Sequence, residues 1–571
     1  MKIYHLSVKN FRGIRELEWT VNGSVNCLIG PGDSTKSTIL DAIEYVLSPR
    51  WNISFADTDF FAGEIYNPIE IIITVGQLPD KLINIDKFGN HIRGWSVMNG
   101  IHDEPEDEDE PVISICLQVG DSLEPSWRVI TERNPDGVLI SARDRESLGM
   151  TRLGPYIDNH LSWSHGSALS RLTGDLEDIS TILADAGRKA RESVTSANLD
   201  KLKDAAQQAQ EAAQKLGVKP RDIYQPALDA KLSIGGSSTL TLHDGNIPAR
   251  QAGLGSRRLL ALAIQYSSVK TGAILLIDEI EQGLEPHRLR HVLRAFRPSV
   301  PTDPSSHQIF MTTHSNISIV ELQANELYVV RSENGYTTVD QVDDSLQGTM
   351  RDIPEALLGR KVIVCEGKTE YGICRSLDRV WAVELSKEPW ACLGVVPITS
   401  SSGSGSKSPR LAQELANLGY QVAFVCDSDV AITPSEEHLQ ADGVKIIQWA
   451  DNLSVEQRVC RDLPFPALNE VVSLAIECIE SNNRQSILDT IGSRLGLETG
   501  QLVGEVDVWL SQGFSEEQIR AAIGGAAKDK GWFKRVDKGE KFGIFISQHL
   551  IEIPVTDLAN KLGELRGWVY A

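Results

Sequence analysis

The pattern of apolar and polar positions predicts alternating strands and helices. Residues 2–11 alternate between the two classes and 25–30 form an apolar run, so both are expected to be strands. A glycine-containing loop follows, and residues 38–47 then have helical periodicity. Strand, loop and helix in this order form the context that a phosphate-binding loop requires. Residues 69–75 and 111–118 are further strand candidates.

The amino-acid composition changes at about residue 165. The stretch up to 216 is rich in Ala, Gln, Lys, Asp and Leu and contains no proline, which favours helix. Strand patterning resumes at 239–243. We therefore predict an N-terminal α/β part at 1–164, a helical insertion at 165–230 that serves dimerisation, and a second α/β part at 231–345.

A polar, turn-rich segment at 343–355 predicts a domain boundary. From residue 357 onward, strands and helices alternate as in a parallel α/β unit, so a further domain is expected at 356–571. Its Ser/Gly-rich stretch at 400–407 is either a flexible linker or a functional loop. Residues 466–527 are predicted to be a mostly helical insertion.

Composition and charge limit the classes of protein to which this chain can belong. The 571 residues exceed one typical domain, and no apolar run approaches the roughly 20 residues that span a bilayer. Eight scattered cysteines without a Cys-x-x-Cys pair, and a start without a signal-peptide pattern, predict a cytoplasmic protein. The net charge of −22 argues against a protein that coats DNA generically, although local basic patches can still bind it. The acidic run 103–110 is expected to be a solvated, disordered loop.

Residues 30–37, Gly-Pro-Gly-Asp-Ser-Thr-Lys-Ser, predict an ATP site. Backbone N–H groups of such a loop surround phosphates, its lysine reaches the β- and γ-phosphates, and its hydroxyl ligates Mg²⁺. The expected ATP contacts are Gly30, Gly32, Lys36, Ser37 and Thr38. Thr35 replaces the glycine that usually precedes the lysine, and we expect its side chain to crowd the loop and lower nucleotide affinity or turnover.

Two later strand ends complete the predicted ATP site. Asp278 follows the apolar run 274–277 and is expected to hold Mg²⁺ together with Ser37, while Glu279 polarises the attacking water. His314 ends another strand and is expected to sense the γ-phosphate. Each of these sequence elements alone is weak evidence for an ATP site, and their order along the chain makes the prediction specific.

A second cluster of acids predicts a site for Mg²⁺ or Mn²⁺. Glu366 ends one apolar strand, Asp427 and Asp429 end another, and Glu370 lies on the first turn of the next helix. Carboxyl ends of parallel strands converge on one edge of a sheet, and clustered carboxylates repel each other unless cations bind. Two such ions can activate water and stabilise the leaving oxygen in phosphodiester cleavage.

The order of the ATP-site elements resembles the ABC-type ATPases of the SMC and recombination-repair group. Residues 10–14, Asn-Phe-Arg-Gly-Ile, are similar to their N-terminal strand motif, and 253–259 occupy the place of their signature motif. The resemblance implies a head-to-head dimer in which Ser256 contacts ATP of the opposite subunit. Arg257 and Arg258 belong to that motif or form a surface charge pair.

The carboxylate set resembles a TOPRIM domain, and an ABC-type ATPase followed by TOPRIM resembles the OLD family of nucleases. The resemblance implies an α/β fold with helical insertions in both domains, and a metal-dependent DNA endonuclease or nickase, often in phage defence. It also implies a late lysine near the metals, for which Lys541 is slightly favoured over Lys538. Glu456 is either a further ligand or a surface acid.

Two basic segments are candidate nucleic-acid contacts. The segment 528–541 mixes cations with aromatic residues, which suits phosphate contacts and base stacking or an ordinary basic surface. A basic stripe follows the predicted Mg²⁺-binding strand end and either contacts DNA or the adjacent subunit or is a solvated helix face; it consists of Arg288, Arg290, His291, Arg294 and Arg297.

The leading hypothesis is an ATP-binding, metal-dependent DNA nuclease that forms a homodimer or higher homo-oligomer through its ATPase domain. A separately encoded defence partner is possible, and no membrane association is expected. The alternatives are an ATP-gated DNA clamp or sensor without nuclease activity, and an effector that cleaves tRNA.

Overall fold

The chain folds into two compact units, Met1–Asp344 and Ser345–Ala571. The computed structural model describes residues 1–83, 85–153, 157–163, 167–173, 200–228, 240–268, 272–297, 307–399, 407–479 and 484–571. The division between the units falls inside the turn-rich segment 343–355. The Ser/Gly-rich stretch at 400–406 and the middle of the predicted insertion, 174–199, lie outside the described residues.

The first unit is an α/β structure built on strands β1 to β17. They are β1 Lys2–Phe11, β2 Ile14–Thr20, β3 Val25–Ile29, β4 Ile69–Gly76, β5 Arg93–Ser96, β6 Gly100–His102, β7 Glu110–Val119, β8 Pro125–Ile130, β9 Val138–Leu139, β10 Met150–Leu153, β11 Tyr224–Leu228, β12 Leu240–Asp244, β13 Ile247–Pro248, β14 Ile274–Ile277, β15 Gln308–Thr312, β16 Leu327–Glu333 and β17 Tyr336–Gln341.

Fourteen of these strands, counted over the described residues, form one sheet in the order β10-β14-β15-β3-β16-β17-β2-β1-β4-β7-β5-β6, with β8 beside β7 and β9 beside β8. The segment β10-β14-β15-β3-β16 is parallel. Every residue of β3, β14 and β15 is buried, as expected for parallel strands covered on both faces. Their carboxyl ends therefore meet at one edge of the sheet.

The α-helices of the first unit are Lys36–Leu47, Asp80–Ile83, Ile85–Phe88, Ala142–Glu146, Ile157–His160, Ala168–Thr173, Asp200–Lys215, Leu254–Ser268, Pro286–Phe296 and Asn316–Glu321. The predicted helical insertion is wrong in its last part, because Tyr224–Leu228 is a strand antiparallel to β12. Gly217, with a φ of +84°, follows the end of the preceding helix and lets the chain turn back.

The second unit contains a parallel sheet in the order β19-β18-β20-β21, formed by β18 Lys361–Cys365, β19 Val395–Thr399, β20 Gln421–Cys426 and β21 Lys445–Gln448. Its α-helices are Gln347–Asp352, Lys368–Glu384, Ser408–Asn417, Glu436–Ala441, Val455–Asp462, Leu468–Cys478, Arg484–Arg494, Val506–Ser511, Glu516–Lys530, Val536–His549 and Asp557–Tyr570. Five buried tryptophans of the described residues anchor the core that the helices share with this sheet: Trp381, Trp390, Trp449, Trp509 and Trp532.

The acidic run 103–110 differs from its prediction, because both of its ends are held by the fold. Asp103 forms an ion pair with Arg93 at 2.7 Å, and the Asp109 side chain is 5% exposed and accepts from the backbone N–H of Glu106. Glu110 is already part of β7 and accepts from the Tyr4 hydroxyl. Only the middle of the run is solvated, since these end residues satisfy their charge within the unit.

No helix within the described ranges is long and apolar enough to cross a bilayer.

Candidate functional site

The predicted phosphate-binding loop connects β3 to the helix Lys36–Leu47. Gly30 has a φ of +136°, and a Cβ there would come within 2.5 Å of the Val330 carbonyl oxygen, so only glycine fits. Gly32 faces open space, since a Cβ added there would meet no atom of the described residues within 4 Å. Asp33 and Thr35 also have positive φ values, of 60° and 66°. The loop is thus wound tightly and is open at Gly32.

Lys36 is held inside the loop by the chain itself. Its Nζ donates to the carbonyl oxygens of Gly30 and Pro31, at 3.0 and 2.7 Å, and to Ser34 Oγ at 3.0 Å. The residue is 5% exposed, and desolvation lowers the pKa of its ammonium to about 8, against the opposing effects of Asp278 and Asp33. A polyanionic ligand in the loop would raise this pKa again and stabilise the charged form.

Thr35 is the N-cap of the helix and adopts the left-handed conformation, which is unfavourable for a β-branched side chain. Its hydroxyl donates to the Ser34 carbonyl at 2.6 Å and lies 3.4 Å from Thr337 Oγ1. Its methyl group lies 3.0 Å from the place that a Cβ on Gly13 would occupy. The side chain therefore contacts the neighbouring turn and β17.

Asp278 follows β14 and lies beside Ser37. Its Oδ1 accepts hydrogen bonds from Ser37 Oγ at 3.1 Å and from Thr312 Oγ1 at 2.6 Å. Its Oδ2 lies 3.4 Å from the guanidinium of Arg152, which also pairs with Glu44 at 2.8 Å. A hydroxyl beside a carboxylate offers the oxygen ligands that Mg²⁺ prefers, so these two residues fit the predicted ion.

Glu279 is exposed and has a φ of +46°, a strained conformation for a non-glycine residue. Its backbone N–H donates to Thr312 Oγ1 at 2.8 Å. Arg258, only 1% exposed, donates from Nη2 to the carbonyl oxygens of Asp278 and Glu279, both at 2.7 Å, and from Nη1 to Gln282 at 2.6 Å. Arg258 therefore fixes the turn that carries both acids.

His314 lies at the end of β15 with its side chain exposed, and Glu281 organises the backbone around it. The Glu281 carboxylate accepts from Thr313 Oγ1 and from the His314 backbone N–H, both at 2.7 Å. Sequence analysis missed Arg152 and Glu281, and it placed Arg258 in the signature-motif segment or a surface charge pair without its role at this turn. The run of acids at 278–281 could have drawn attention to Glu281. No local sequence pattern, however, shows which side chains Arg152, Arg258 and Glu281 contact.

Ser256 lies near the start of the helix Leu254–Ser268, and its hydroxyl accepts from Arg288 at 3.2 Å. The basic stripe is largely neutralised within the unit. Arg294 pairs with Glu321 at 2.6 Å, and Arg297 with Glu326 at 2.7 Å. A solvated helix face held by local acids is therefore the better description of the stripe than a DNA contact.

The acids of the second unit lie where β18 and β20 end. The chain leaves β18 towards β19 on one side and reaches β20 on the other, so these two carboxyl ends form the topological switch point at which α/β sheets bind ligands. Glu366 follows β18, and its Oε2 accepts from the Asp427 backbone N–H at 2.8 Å. Asp427 Oδ1 accepts from the N–H of Val455, which opens a helix whose next residue is Glu456.

These carboxylates are buried close together without sufficient compensation. Desolvation, then Glu370 and Glu456, raise the pKa of Asp427 to about 9. Desolvation followed by Glu456 raises the pKa of Glu370 to about 8. Desolvation also raises the pKa values of Glu366 and Glu456. Glu456, 3% exposed, is thus a member of the cluster and not a surface acid.

The lysine that reaches the cluster is Lys528, whose Nζ forms an ion pair with Asp429. Lys534 contributes by lowering the pKa of Glu456, against the larger desolvation effect. Lys541, the lysine that sequence analysis favoured, instead donates to Glu477 at 2.6 Å on an exposed surface. A helix presents successive residues about 100° apart, so position along the chain did not decide which lysine faces the acids.

The ligand atoms of the cluster suit a divalent cation, but their present positions do not. Its donors are carboxylate oxygens, which suit Mg²⁺ or Mn²⁺. Within the part of the chain that the structure describes, however, no three His, Cys, Asp or Glu side chains are grouped as ligands of one ion. Binding would require side-chain rotation, and release of Lys528 from Asp429 is one such movement.

Comparison with known proteins gives one family match. The model of the family described as "AAA domain, putative AbiEii toxin, Type IV TA system" matches residues 25–321, just over half of the chain. No curated protein matches.

Among solved structures, the chain is similar to an Smc head bound to the C-winged helix domain of ScpA, with 15% identity over 60% of this chain and 98% of that chain and a TM-score of 0.36. An Smc head with an extended coiled coil bound to the C-terminal domain of ScpA, from Pyrococcus furiosus, has 15% identity over 62% and 98%, with a TM-score of 0.36. The SMC head domain from Thermotoga maritima has 13% identity over 60% and 100%, with a TM-score of 0.30.

Proposed function

Because the chain belongs to the AAA-domain family whose model spans residues 25–321, it carries an ATPase domain, and we propose that it is an ATP-binding, metal-dependent nuclease that cleaves DNA. In this proposal, the first unit binds ATP through the loop 30–37. The second unit cleaves the phosphodiester bond at the cluster around Glu366 and Asp427. A role in phage defence, a homodimer and a separately encoded partner belong to the same proposal.

The observation that carries the proposal is the cluster at the ends of β18 and β20. Five carboxylates share this sheet edge, namely Glu366, Glu370, Asp427, Asp429 and Glu456. The raised pKa values in this cluster mean that the ionised carboxylates lack compensating positive charge, which divalent cations would supply. Bound there, such ions would supply an activated water and stabilise the leaving oxygen.

The residues have distinct tasks in this proposal. Asp427 and Asp429 project from one strand end, and Glu366 from the neighbouring one, so they would hold the cations on the side of the sheet that substrate approaches. Glu370 and Glu456, both at most 5% exposed, would fix the inner side of the site. Lys528 and Lys534 carry positive charge close to the cluster and would attract the phosphate backbone.

Plasmid nicking tests the proposal. Purified protein is incubated with supercoiled plasmid, and with tRNA in parallel, across Mg²⁺ and Mn²⁺ titrations. Asp427→Ala and Glu366→Ala are expected to abolish cleavage while nucleotide binding stays at the parental level. Glu437→Ala removes an exposed acid of the same unit and should cleave normally. Full cleavage by both site variants refutes the assignment, and cleavage of tRNA alone identifies the other substrate class.

A clamp or sensor without nuclease activity is the second candidate. It is favoured by the lack, among the described residues, of three side chains already grouped around an ion and by the ion pair that ties up Asp429. In that case the protein would bind DNA in an ATP-dependent manner and leave it intact at every metal concentration. Gel-shift and nicking assays on the same samples separate the two functions.

A further inference from the structure

Lys528 lies on the last turn of the helix Glu516–Lys530, and its ammonium pairs with Asp429, one of the acids of the cluster. The Lys528 side chain is 35% exposed and that of Asp429 is 16% exposed. This pair is more enclosed than a typical surface ion pair. The hydrogen bond to Asp429 is the main cause that raises the pKa of the lysine.

Two glycines hold the helix in place to make this contact. A Cβ on Gly524 would come within 2.8 Å of the Gln457 Cα, on the helix that carries Glu456. A Cβ on Gly525 would collide with the guanidinium of Arg494, which itself pairs with Asp529. The close approach at both glycines sets the end of the helix against the cluster, so the position of Lys528 is fixed by packing.

The charge around Asp429 also favours the contact. Asp427 and Asp429 both act on the ammonium of Lys528, while the neighbouring Lys530 is exposed. A lysine in this place supplies one positive charge at the opening of an acidic site, which is also where a divalent cation would bind Asp429.

We propose that Lys528 is a resident counter-ion of the carboxylate site, which competes with a divalent cation for Asp429 and thereby sets the metal concentration at which the site fills. The inference rests on the proposed function, since it concerns the metal occupancy of the same site. The lysine keeps Asp429 neutralised at low metal concentration. Binding of a cation to Asp429 requires the ammonium to leave the carboxylate.

Metal binding, measured without nucleotide or substrate, tests this role. The probe is Mn²⁺ alone, titrated into the 571-residue chain and followed by the electron paramagnetic resonance signal of the free ion. Lys528→Met removes the charge and keeps the chain length, and we expect about fivefold tighter binding of Mn²⁺, as for loss of a competing ion pair worth about 1 kcal/mol. Lys530→Met, two residues away on the same helix, should bind as the parent does.

Asp429→Asn is the reference that removes the contested carboxylate. It should weaken Mn²⁺ binding, and combining it with Lys528→Met should cancel the gain. If Lys528→Met and the parent bind Mn²⁺ equally while Asp429→Asn binds it more weakly, the competition is refuted and the metal site stands. If neither the parent nor any variant binds Mn²⁺, the proposed function fails and this inference fails with it. Thermal unfolding of each variant checks that the fold is kept.

Discussion

At the scale of single residues, the ATP site depends on backbone conformations that side chains normally avoid. Gly30, Asp33 and Thr35 have positive φ in the phosphate-binding loop, and Glu279 has one in the turn after β14. Glycine accepts such a conformation freely, whereas in another residue it costs about 1–2 kcal/mol in steric strain. The strain is concentrated where phosphates and attacking water are expected, and it is held by the surrounding hydrogen bonds.

Thr35→Gly should relieve this strain. The gain of about 1–2 kcal/mol is partly offset by about 0.5–1 kcal/mol from the freer unfolded chain, so the free energy of unfolding should stay equal or rise by about 1 kcal/mol. Because the Thr35 side chain contacts the neighbouring turn and β17, we expect nucleotide affinity to change by less than about twofold. Denaturant unfolding and titration with ATP measure both quantities.

Thr35→Ala is the matched control for that variant. It keeps the strained Cβ and loses the hydroxyl bond to Ser34. It should therefore be less stable than Thr35→Gly. A clear tightening of ATP binding or faster turnover in Thr35→Gly would instead support the sequence-based expectation that the threonine crowds the loop.

Lys36 and Glu279 should separate binding from hydrolysis. Lys36→Ala removes the ammonium enclosed by the loop and should weaken nucleotide binding at least about tenfold. Glu279→Gln keeps the shape of the exposed side chain but loses its charge, so binding should persist while hydrolysis slows by about 10²-fold or more. Equilibrium binding and single-turnover hydrolysis on both variants measure the two effects. Parental hydrolysis by Glu279→Gln would show that another group polarises the water.

At the scale of elements, the helix Leu254–Ser268 positions the turn that carries the acids of the ATP site. One of its adjacent arginines points inwards, where Arg258 holds the carbonyl oxygens of Asp278 and Glu279. The other, Arg257, is directed outwards and pairs with Asp158 at 2.9 Å. Neighbouring residues on a helix thus have opposite roles, because they lie on different faces.

Arg258→Met should slow hydrolysis more than it weakens nucleotide binding. It removes charged hydrogen bonds to the strained turn, and the expected loss in the free energy of unfolding is about 2–3 kcal/mol. Arg257→Met removes one partly exposed ion pair and should cost less than about 1 kcal/mol. Unfolding curves and the ratio of hydrolysis rate to nucleotide affinity compare the pair. Equal effects of the two substitutions would contradict the positioning role of Arg258.

At the scale of the whole molecule, acidic charge dominates, and the structure shows where it is uncompensated. The basic stripe and the ends of the acidic run are neutralised inside the first unit. The cluster at β18 and β20 in the second unit is not. Carboxylates with raised pKa values stabilise the fold while protonated and destabilise it once ionised. The stability of this unit therefore depends on pH and on bound cations.

The stability of the metal-free protein should therefore fall as pH rises. The raised folded pKa values, about 8 for Glu370 and about 9 for Asp427, mean that their contribution is complete below about pH 4 and is lost up to about pH 9. Mn²⁺ should raise the melting temperature at pH 8 and have little effect at pH 5, where protons compete with the ion. Thermal unfolding across this range, with and without metal, measures both trends.

Asp427→Asn is the control for this pH dependence. It removes a charge that the site does not tolerate well, so it should flatten the fall in stability above pH 5 and reduce the effect of Mn²⁺. Glu437→Ala removes an exposed acid of the same unit and should leave both trends unchanged. A parental response of Asp427→Asn to pH and metal would place the origin of the effect elsewhere in the chain.

The sequence by itself determined the α/β class, the loop between a strand and a helix at 30–37, and the acids at the ends of β14, β18 and β20. These features are local, because apolar runs, glycine positions and the residue after a strand are all written in short segments. The approach of Asp278 to Ser37 could also be expected from the sequence, since the carboxyl ends of parallel strands converge.

Only the tertiary structure decided which charged side chains pair with each other. Lys528 pairs with Asp429 while Lys541 turns to Glu477, and Arg258 is buried beside a more exposed Arg257. Tyr224–Leu228 became a strand because β12 was available to pair with it. Each outcome depends on which helix face or strand edge packs against a segment distant in the chain, and no local pattern encodes that choice.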